Sequence, residues 1–554
     1  MASLVASVDH GVSSQRGRAL PYAIRLANPG KHLYPPPLTE LTSAEFETFL
    51  CTRPSVDRSG QLYLHVPFCE TICSFCPIHK SKVPSAGVVD EYVRALVDEL
   101  AALSGTPAVR RIRFDNVYFG GGTASLLPNR AFAALMELIQ DRFTLDAPQC
   151  TLEGHVHSLT EEKVRLARSL GVNRISLGVQ TFEPRLRGLL NLTPSEGDIR
   201  RCLDAIRRAG IDDINLDLMC NLPGQSPEVW ERDLRAAVAL DPSGLDLYEA
   251  VVVDGTPLAK QVASGHVTID SNPAPQVATY LVGEAILTDA GFEQRNLFVW
   301  NRPGIENRLV GTQGALRDGT VDVVGAGLSA YSVIDGHPFL AEPNRQRYVR
   351  RVRSGRFAAR WHHECTKRER MERFMIMSLE EFTFSPAAFA CAFGRGMEDI
   401  FHDQLRSFHR RGLIERRGAD YVLTRLGRAW ATTMAVEFFG ASVLEEMLRE
   451  RVRGAVQVGL TREEAIDLPI FALFHPAELL GSAHRFGVLV DYVRFLWRTD
   501  RTWPVTVLRE LRRAVARAGL PALRWYANTI ARHVLAWLAW RTRSPRADAG
   551  EEVV

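Results

Sequence analysis

"RISLGVQTFEPRLRGLLNLTPSEGDIRRCLDAIRRAGIDDINLDLMC", residues 174–220, contains a whole strand–helix–strand unit. Its two ends, "RISLGV" and "DINLDLMCNL", are short apolar runs of strand length. Between them "GDIRRCLDAIRRAG" repeats apolar residues at helical intervals and ends on glycine. The same theme extends in both directions. Upstream, "QLYLHV" precedes the helix "VVDEYVRALVDELAAL", "NVYF" precedes "NRAFAALMELIQDRF", and "CTLEGHV" precedes "TEEKVRLARSLG". Downstream comes the helix "SPEVWERDLRAAVAL", and "GLDLYEAVVV" closes the series. Six strands separated by helices predict an α/β fold with a parallel sheet, curled into a partial (β/α)6 TIM-type barrel.

Polar residues of unusual kind fall at or just after the carboxyl ends of these strands. Cys69 follows the first, Gly120, Gly121 and Gly122 the second, and Glu153 ends the third. Gln180 follows the fourth and Asp217 ends the fifth. In parallel α/β sheets that edge carries the active site. His155 and His157 alternate on the third strand and are expected on one face, as polar lining of the barrel mouth or as simple surface, rather than as metal ligands.

At 554 residues the chain is too long for one core, and two or three domains are expected. Residues 1–60, with "YPPPLTE", read as an N-terminal arm that packs over something else. The barrel is expected over 61–290. A Gly-rich strand and loop region with "VDVVGAGLSAYS" completes it over 291–365. A small winged-helix-like unit follows over 366–440, with a turn at Arg417–Gly418. A helical extension over 441–545 and a disordered tail, 546–554, end the chain. A net charge of +3 argues against a nucleic-acid binder. Neither a signal peptide nor a charge-free apolar stretch of membrane-spanning length is read from the sequence. Six of the nine cysteines are scattered, which fits a reducing, cytoplasmic setting.

The other three, Cys69, Cys73 and Cys76, lie in "LHVPFCETICSFCPIHK" with spacing C-x3-C-x2-C. Close thiolates bind zinc or an iron–sulfur cluster. Structural zinc takes four closed ligands, usually as two C-x2-C pairs. No second pair lies nearby, and only His65 and His79 are on hand to complete such a site. A [4Fe–4S] cluster normally takes four cysteines, so three leave one iron open to a small molecule.

This loop resembles the signature of the radical S-adenosylmethionine (SAM) superfamily. "YLHVPFC", "VYFGGGTASLL", "RISLGVQTF", "INLDLMCNLPGQ" and "VVGAGLSAYS" resemble, in order, the HemN-like branch typified by oxygen-independent coproporphyrinogen III oxidase. The resemblance implies that Cys69, Cys73 and Cys76 hold a [4Fe–4S] cluster whose open iron binds SAM. One electron then splits SAM into methionine and a 5′-deoxyadenosyl radical. It also implies that the turn at Gly121 and Gly122 bonds the SAM amino group, that Glu153 holds SAM, and that Tyr63 and Tyr331 contact it. Phe75, Gly122, Thr123, Gln180 and Asp217 match positions that hold a second SAM. The chain departs from the pattern at Leu192, where the family has an arginine; Arg185 and Arg187 are out of register.

The reaction expected first is transfer of a SAM-derived methyl or methylene group to an sp2 carbon of a specialised metabolite. The alternatives are oxygen-independent coproporphyrinogen III oxidation or related tetrapyrrole chemistry, and a non-catalytic haem chaperone. A small-molecule substrate and an electron donor such as flavodoxin or ferredoxin are implied. A partner methyltransferase fits the first reading. No catalytic side chain beyond the cluster and SAM is expected.

Overall fold

The computed structural model describes residues 57–440, except 254, 270–271, 310–315 and 318, together with 21–22, 25, 34–37 and 39–52. The expected extension 441–545, the tail 546–554 and most of the arm lie outside the described residues.

Six strands lie side by side in chain order, all parallel: β1 (Arg58–Val66), β2 (Ile112–Gly121), β3 (Leu145–Gly154), β4 (Arg174–Gln180), β5 (Asp213–Cys220) and β6 (Gly244–Glu249). Between them run α1 (Ala86–Ser104), α2 (Asn129–Arg142), α3 (Glu161–Ser169), α4 (Glu196–Arg208) and α5 (Pro227–Val238). A seventh strand, β7 (Val321–Ala326), pairs parallel with the free side of β1. An antiparallel meander of β8 (Tyr331–Ile334), β9 (His337–Ala341) and β10 (Ala359–His362) continues from it. At the other end β6 pairs antiparallel with Val299–Asn301, so among the described residues the sheet does not close on itself. The expected partial barrel is the architecture found.

The alternation along the strands explains the layers. Ile175, Leu177 and Val179 of β4 and Ile214, Leu216 and Leu218 of β5 are buried in one core with Ile199, Leu203 and Ile206 of α4. Each such side chain stabilises the fold by about 1.5–3 kcal/mol. The residues between them, Arg174, Ser176, Asn215 and Asp217, face the other way. Helix starts are set locally. Thr160 Oγ accepts from Lys163 N at the start of α3, and Ser195 with Asp198 forms a reciprocal capping box at the start of α4.

Two local expectations are corrected. "GLDLYEAVVV" is a strand only to Glu249, and Val252 beyond it is exposed. His155 and His157 are not on the third strand. β3 ends at Gly154 and both lie in the turn that follows, where Ser158 N and Leu159 N donate to His155 O. Strand periodicity therefore does not set their directions.

Downstream, the helices Lys367–Ser378, Met397–Arg410 and Arg425–Ala435 accompany a three-stranded sheet of Thr383–Phe384, Asp420–Leu423 and Ile414–Arg417. The hairpin turns at Gly418, φ +61°, beside the expected Arg417. The described arm residues reach this region: Tyr22 Oη donates to Glu437 at 2.6 Å, and Arg25 Nε donates to Ala429 O at 2.7 Å. No helix among the described residues is long and apolar enough to cross a membrane.

Candidate active site

The cysteine loop leaves the carboxyl end of β1 and closes on itself. Phe68–Cys69 pairs with Ser81–Lys82, and Val83 N donates to Cys69 O at 2.9 Å. Its tip is tied to the loops after β4 and β6. Ser74 Oγ donates to Leu189 O at 2.9 Å, Asn191 Nδ2 donates to Ile72 O at 2.9 Å, and Leu258 N donates to Ser74 O at 2.8 Å. Cys69 is buried, and Cys73 and Cys76 are half-buried. Burial, then the neighbouring Cys76 and Cys69 sulfurs, push the Cys73 thiol up to about 11. Burial also raises Cys69, against a hydrogen bond with Thr123. Thiols that hinder one another's ionisation in this way become thiolates on a cation, as ligation of iron requires.

The glycine turn lies against this loop. Gly122 N donates to Val66 O at 2.7 Å. A Cβ on Gly122 would stand 2.7 Å from Phe68 O and 3.0 Å from Cys69 Sγ. The donor set and the bare backbone beside it therefore fit a [4Fe–4S] cluster with a ligand held close. Gly121, φ +111°, is left-handed, and a Cβ there would stand 2.9 Å from the His65 ring. Gly121→Ala is accordingly expected to destabilise the turn by about 1–3 kcal/mol. Thermal unfolding and SAM equilibrium dialysis on the cluster-loaded chain should show a lower midpoint and about tenfold weaker SAM.

Glu153, the last but one residue of β3, lies between this turn and the barrel interior. Tyr118 Oη donates to its Oε1 at 2.7 Å, and Gly121 N donates to its Oε2 at 3.1 Å. Burial raises its pKa, against those two hydrogen bonds. Tyr63 Oη bonds His65 Nδ1 at 2.9 Å, and His65 Nε2 bonds His79 O at 3.0 Å. Burial takes the His65 pKa down to about 4. The neutral ring thus carries its proton on Nε2, facing the carbonyl, and accepts from Tyr63 at Nδ1. Both ring nitrogens of His65 are thereby engaged, by Tyr63 and by His79 O.

Deeper in the barrel, Asp217 accepts from Asn215 Nδ2 at 3.0 Å and from Ser176 Oγ at 3.2 Å. It stands in register with Asp246 of β6. Tyr248 Oη donates to Asp246 Oδ2 at 3.2 Å. Burial raises Asp217 well above the carboxylate range, with the Asp246 and Glu153 charges adding to it. Asp246 is pushed by burial up to about 6, with Arg174 opposing. Since its folded pKa is raised, its stabilising contribution is complete below about pH 4 and is lost as pH rises through about 6. Asp246→Asn should therefore unfold a few degrees higher than wild type at pH 8 and at the same temperature at pH 4, by calorimetry. Gln180 ends β4 with φ +69°.

Leu192 and Phe75 pack half-buried on one apolar cluster with Leu186, Leu190, Met219 and Leu222. Arg187 donates to Val179 O at 3.0 Å and Thr181 O at 2.7 Å, and Arg185 donates to Gly224 O at 2.6 Å. Both clamp backbone and neither replaces a cation at 192. Tyr331 opens β8, and a Cβ on Gly325, the residue in register with Tyr63, would stand 2.3 Å from its carbonyl oxygen. Tyr118, His65 and Asp246 are the site residues that reading the carboxyl edge alone missed. Their signal is a polar residue at every second position of otherwise apolar strands.

The family profile described as Radical SAM superfamily matches residues 63–237, and that described as HemN C-terminal domain matches residues 365–430. A heme chaperone HemW of Synechocystis sp. is 31% identical over 53% of this chain and 70% of its own length. An anaerobilin synthase of Escherichia coli O157:H7 is 28% identical over 68% of this chain and 83% of its own. The solved coproporphyrinogen III oxidase (HemN) of Escherichia coli superposes with a TM-score of 0.65 at 23% identity, covering 74% of this chain and 96% of that one.

Proposed function

Since the chain belongs to the radical SAM superfamily, in its HemN-like branch, we propose that it is a SAM-cleaving enzyme whose substrate is a tetrapyrrole. The superfamily's cofactors are a [4Fe–4S] cluster and SAM. The observation that carries the substrate class is the mouth of the barrel. The exposed large apolar side chains among the described residues, Ile78, Val83, Tyr248 and Val252, lie on the cysteine loop or on and just past β6. Phe75 of that loop and Ala250 after β6 pack on the apolar cluster between them. An apolar rim whose Tyr248 bonds the Asp246 carboxyl suits a macrocycle with apolar faces and central N–H donors. The relatives named for heme and coproporphyrinogen support the same class. They favour it over the methyl or methylene transfer expected first from the sequence.

In this reading Cys69, Cys73 and Cys76 hold the cluster. A cluster held there would supply the electron that splits SAM, and so a radical able to take a hydrogen atom from carbon. Glu153, fixed by Tyr118 and Gly121 N, accepts from the SAM amino group. The apolar rim excludes water from the reacting carbon. The electron comes from a flavodoxin- or ferredoxin-type donor.

The test is 5′-deoxyadenosine formation by the reduced, cluster-loaded chain with haem, with coproporphyrinogen III and with neither. A rise of about tenfold or more with one tetrapyrrole, and a mass change in it, are expected. No rise with either sinks the proposal. The heme chaperone named among the relatives motivates a second reading, in which haem binds tightly and is recovered unchanged with SAM not consumed.

A second SAM is part of the proposal, at Phe75, Gln180 and Asp217, with Leu192 offering its carboxylate no cation. Binding isotherms are expected to resolve a tight and a weak SAM site. Leu192→Arg should tighten the weak one by about tenfold, the effect of a charge-assisted hydrogen bond.

A further inference from the structure

Outside the cysteine loop and the barrel interior, one group of side chains has donor chemistry that the proposed function does not use. Glu70, the residue after Cys69, meets His155 and His157 of the turn after β3. One ligating atom from each of the three lies within 4.8 Å of the others. The imidazoles stand edge to face, with centroids 5.4 Å apart. Two donors on one tetrahedral zinc are about 3.3 Å apart, so modest side-chain rotations bring all three onto a single ion.

The turn is held in place before any ion arrives. His155 N donates to Ser125 Oγ at 3.3 Å, Ser125 Oγ and Ser158 Oγ bond at 2.6 Å, and Ser158 Oγ donates to His155 O at 2.9 Å. Asp198 Oδ2 stands 3.8 Å from His157 Nε2, an ion-pair distance and not a hydrogen bond. The capping box that fixes Asp198 at the start of α4 keeps it there. Two imidazoles and one carboxylate are the protein ligands of an open three-ligand zinc site.

We propose that Glu70, His155 and His157 bind a first-row divalent cation, zinc foremost, which staples the cysteine loop to the turn after β3 and leaves one coordination position open. The inference does not rest on the tetrapyrrole reading, because neither the substrate nor turnover enters it. Its consequence is local: with the ion bound, the backbone beside Cys69 is tied both to its parallel partner Ser81–Lys82 and to the turn after β3.

The experiment uses the full chain with its cluster loaded anaerobically, so that the three thiols are occupied. The chain is equilibrated with zinc chloride, desalted, and analysed for iron and zinc together. Wild type should keep about one zinc beside about four irons. His155→Ala with His157→Ala should keep the iron and lose at least about nine-tenths of the zinc. Glu70→Gln should weaken zinc binding by about tenfold or more. Wild type without zinc at full iron content overturns the inference, as does equal zinc in the double variant. Should the double variant lose iron too, Glu70→Gln decides: weaker zinc with iron retained upholds the site, and unchanged zinc overturns it.

Discussion

Replacing Cys69, Cys73 and Cys76 together by alanine should leave the anaerobically reconstituted chain with almost none of its roughly four irons. SAM cleavage should fall below detection. The expectation follows from geometry as much as from the spacing of the cysteines. The three sulfurs lie on a loop tied to the loops after β4 and β6, and Cys69 meets the glycine turn. The loop's backbone ties do not involve the replaced sulfurs. The variant should therefore keep its circular-dichroism spectrum while losing iron, measured as iron per chain alongside 5′-deoxyadenosine release. Wild-type iron in the triple variant would show that the metal is held elsewhere. Tight zinc in place of iron in wild-type chain would return the loop to the structural zinc reading, with His65 or His79 as the fourth ligand. That reading is already weakened, because both nitrogens of the His65 ring are engaged.

Glu153→Gln should leave the iron content unchanged and slow 5′-deoxyadenosine formation by about a hundredfold. The glutamine oxygen can still accept from Tyr118 or from Gly121 N, so the turn persists. What is lost is the negative charge that a SAM ammonium would meet in a site of low dielectric, where charge-assisted bonds contribute most. Tyr118→Phe removes one of the two donors that fix the carboxylate and is expected to slow the reaction only a few-fold. Single-turnover assays at saturating SAM, with binding measured separately, divide the loss between affinity and the cleavage step. An equal rate in wild type and Glu153→Gln would remove Glu153 from the SAM site.

The fold was legible because its signal is local. Apolar alternation in "RISLGV" and "DINLDLMC" and helical spacing in "GDIRRCLDAIRR" report strand, strand and helix without knowledge of their neighbours. Glycine and capping residues mark where each element stops and starts. Where such signals were lacking, the reading overran. "AVVV" after Glu249 has strand composition but pairs with no strand among the described residues, and "HVH" after Gly154 alternates within a turn.

By itself the sequence determined the chemistry available to this protein: three closely spaced thiols, a glycine run without side chains, and carboxylates at strand ends of a parallel sheet. Each depends on residue type and on spacing within one segment. Tertiary structure decided the pairings between segments: Tyr118 with Glu153, Asp217 with Asp246, Gly122 against Cys69, and Glu70 with the two histidines. It also decided that Leu192 packs on an apolar cluster while Arg185 and Arg187 clamp backbone. These contacts join residues distant along the chain, and register and packing set them, so no local pattern carries them.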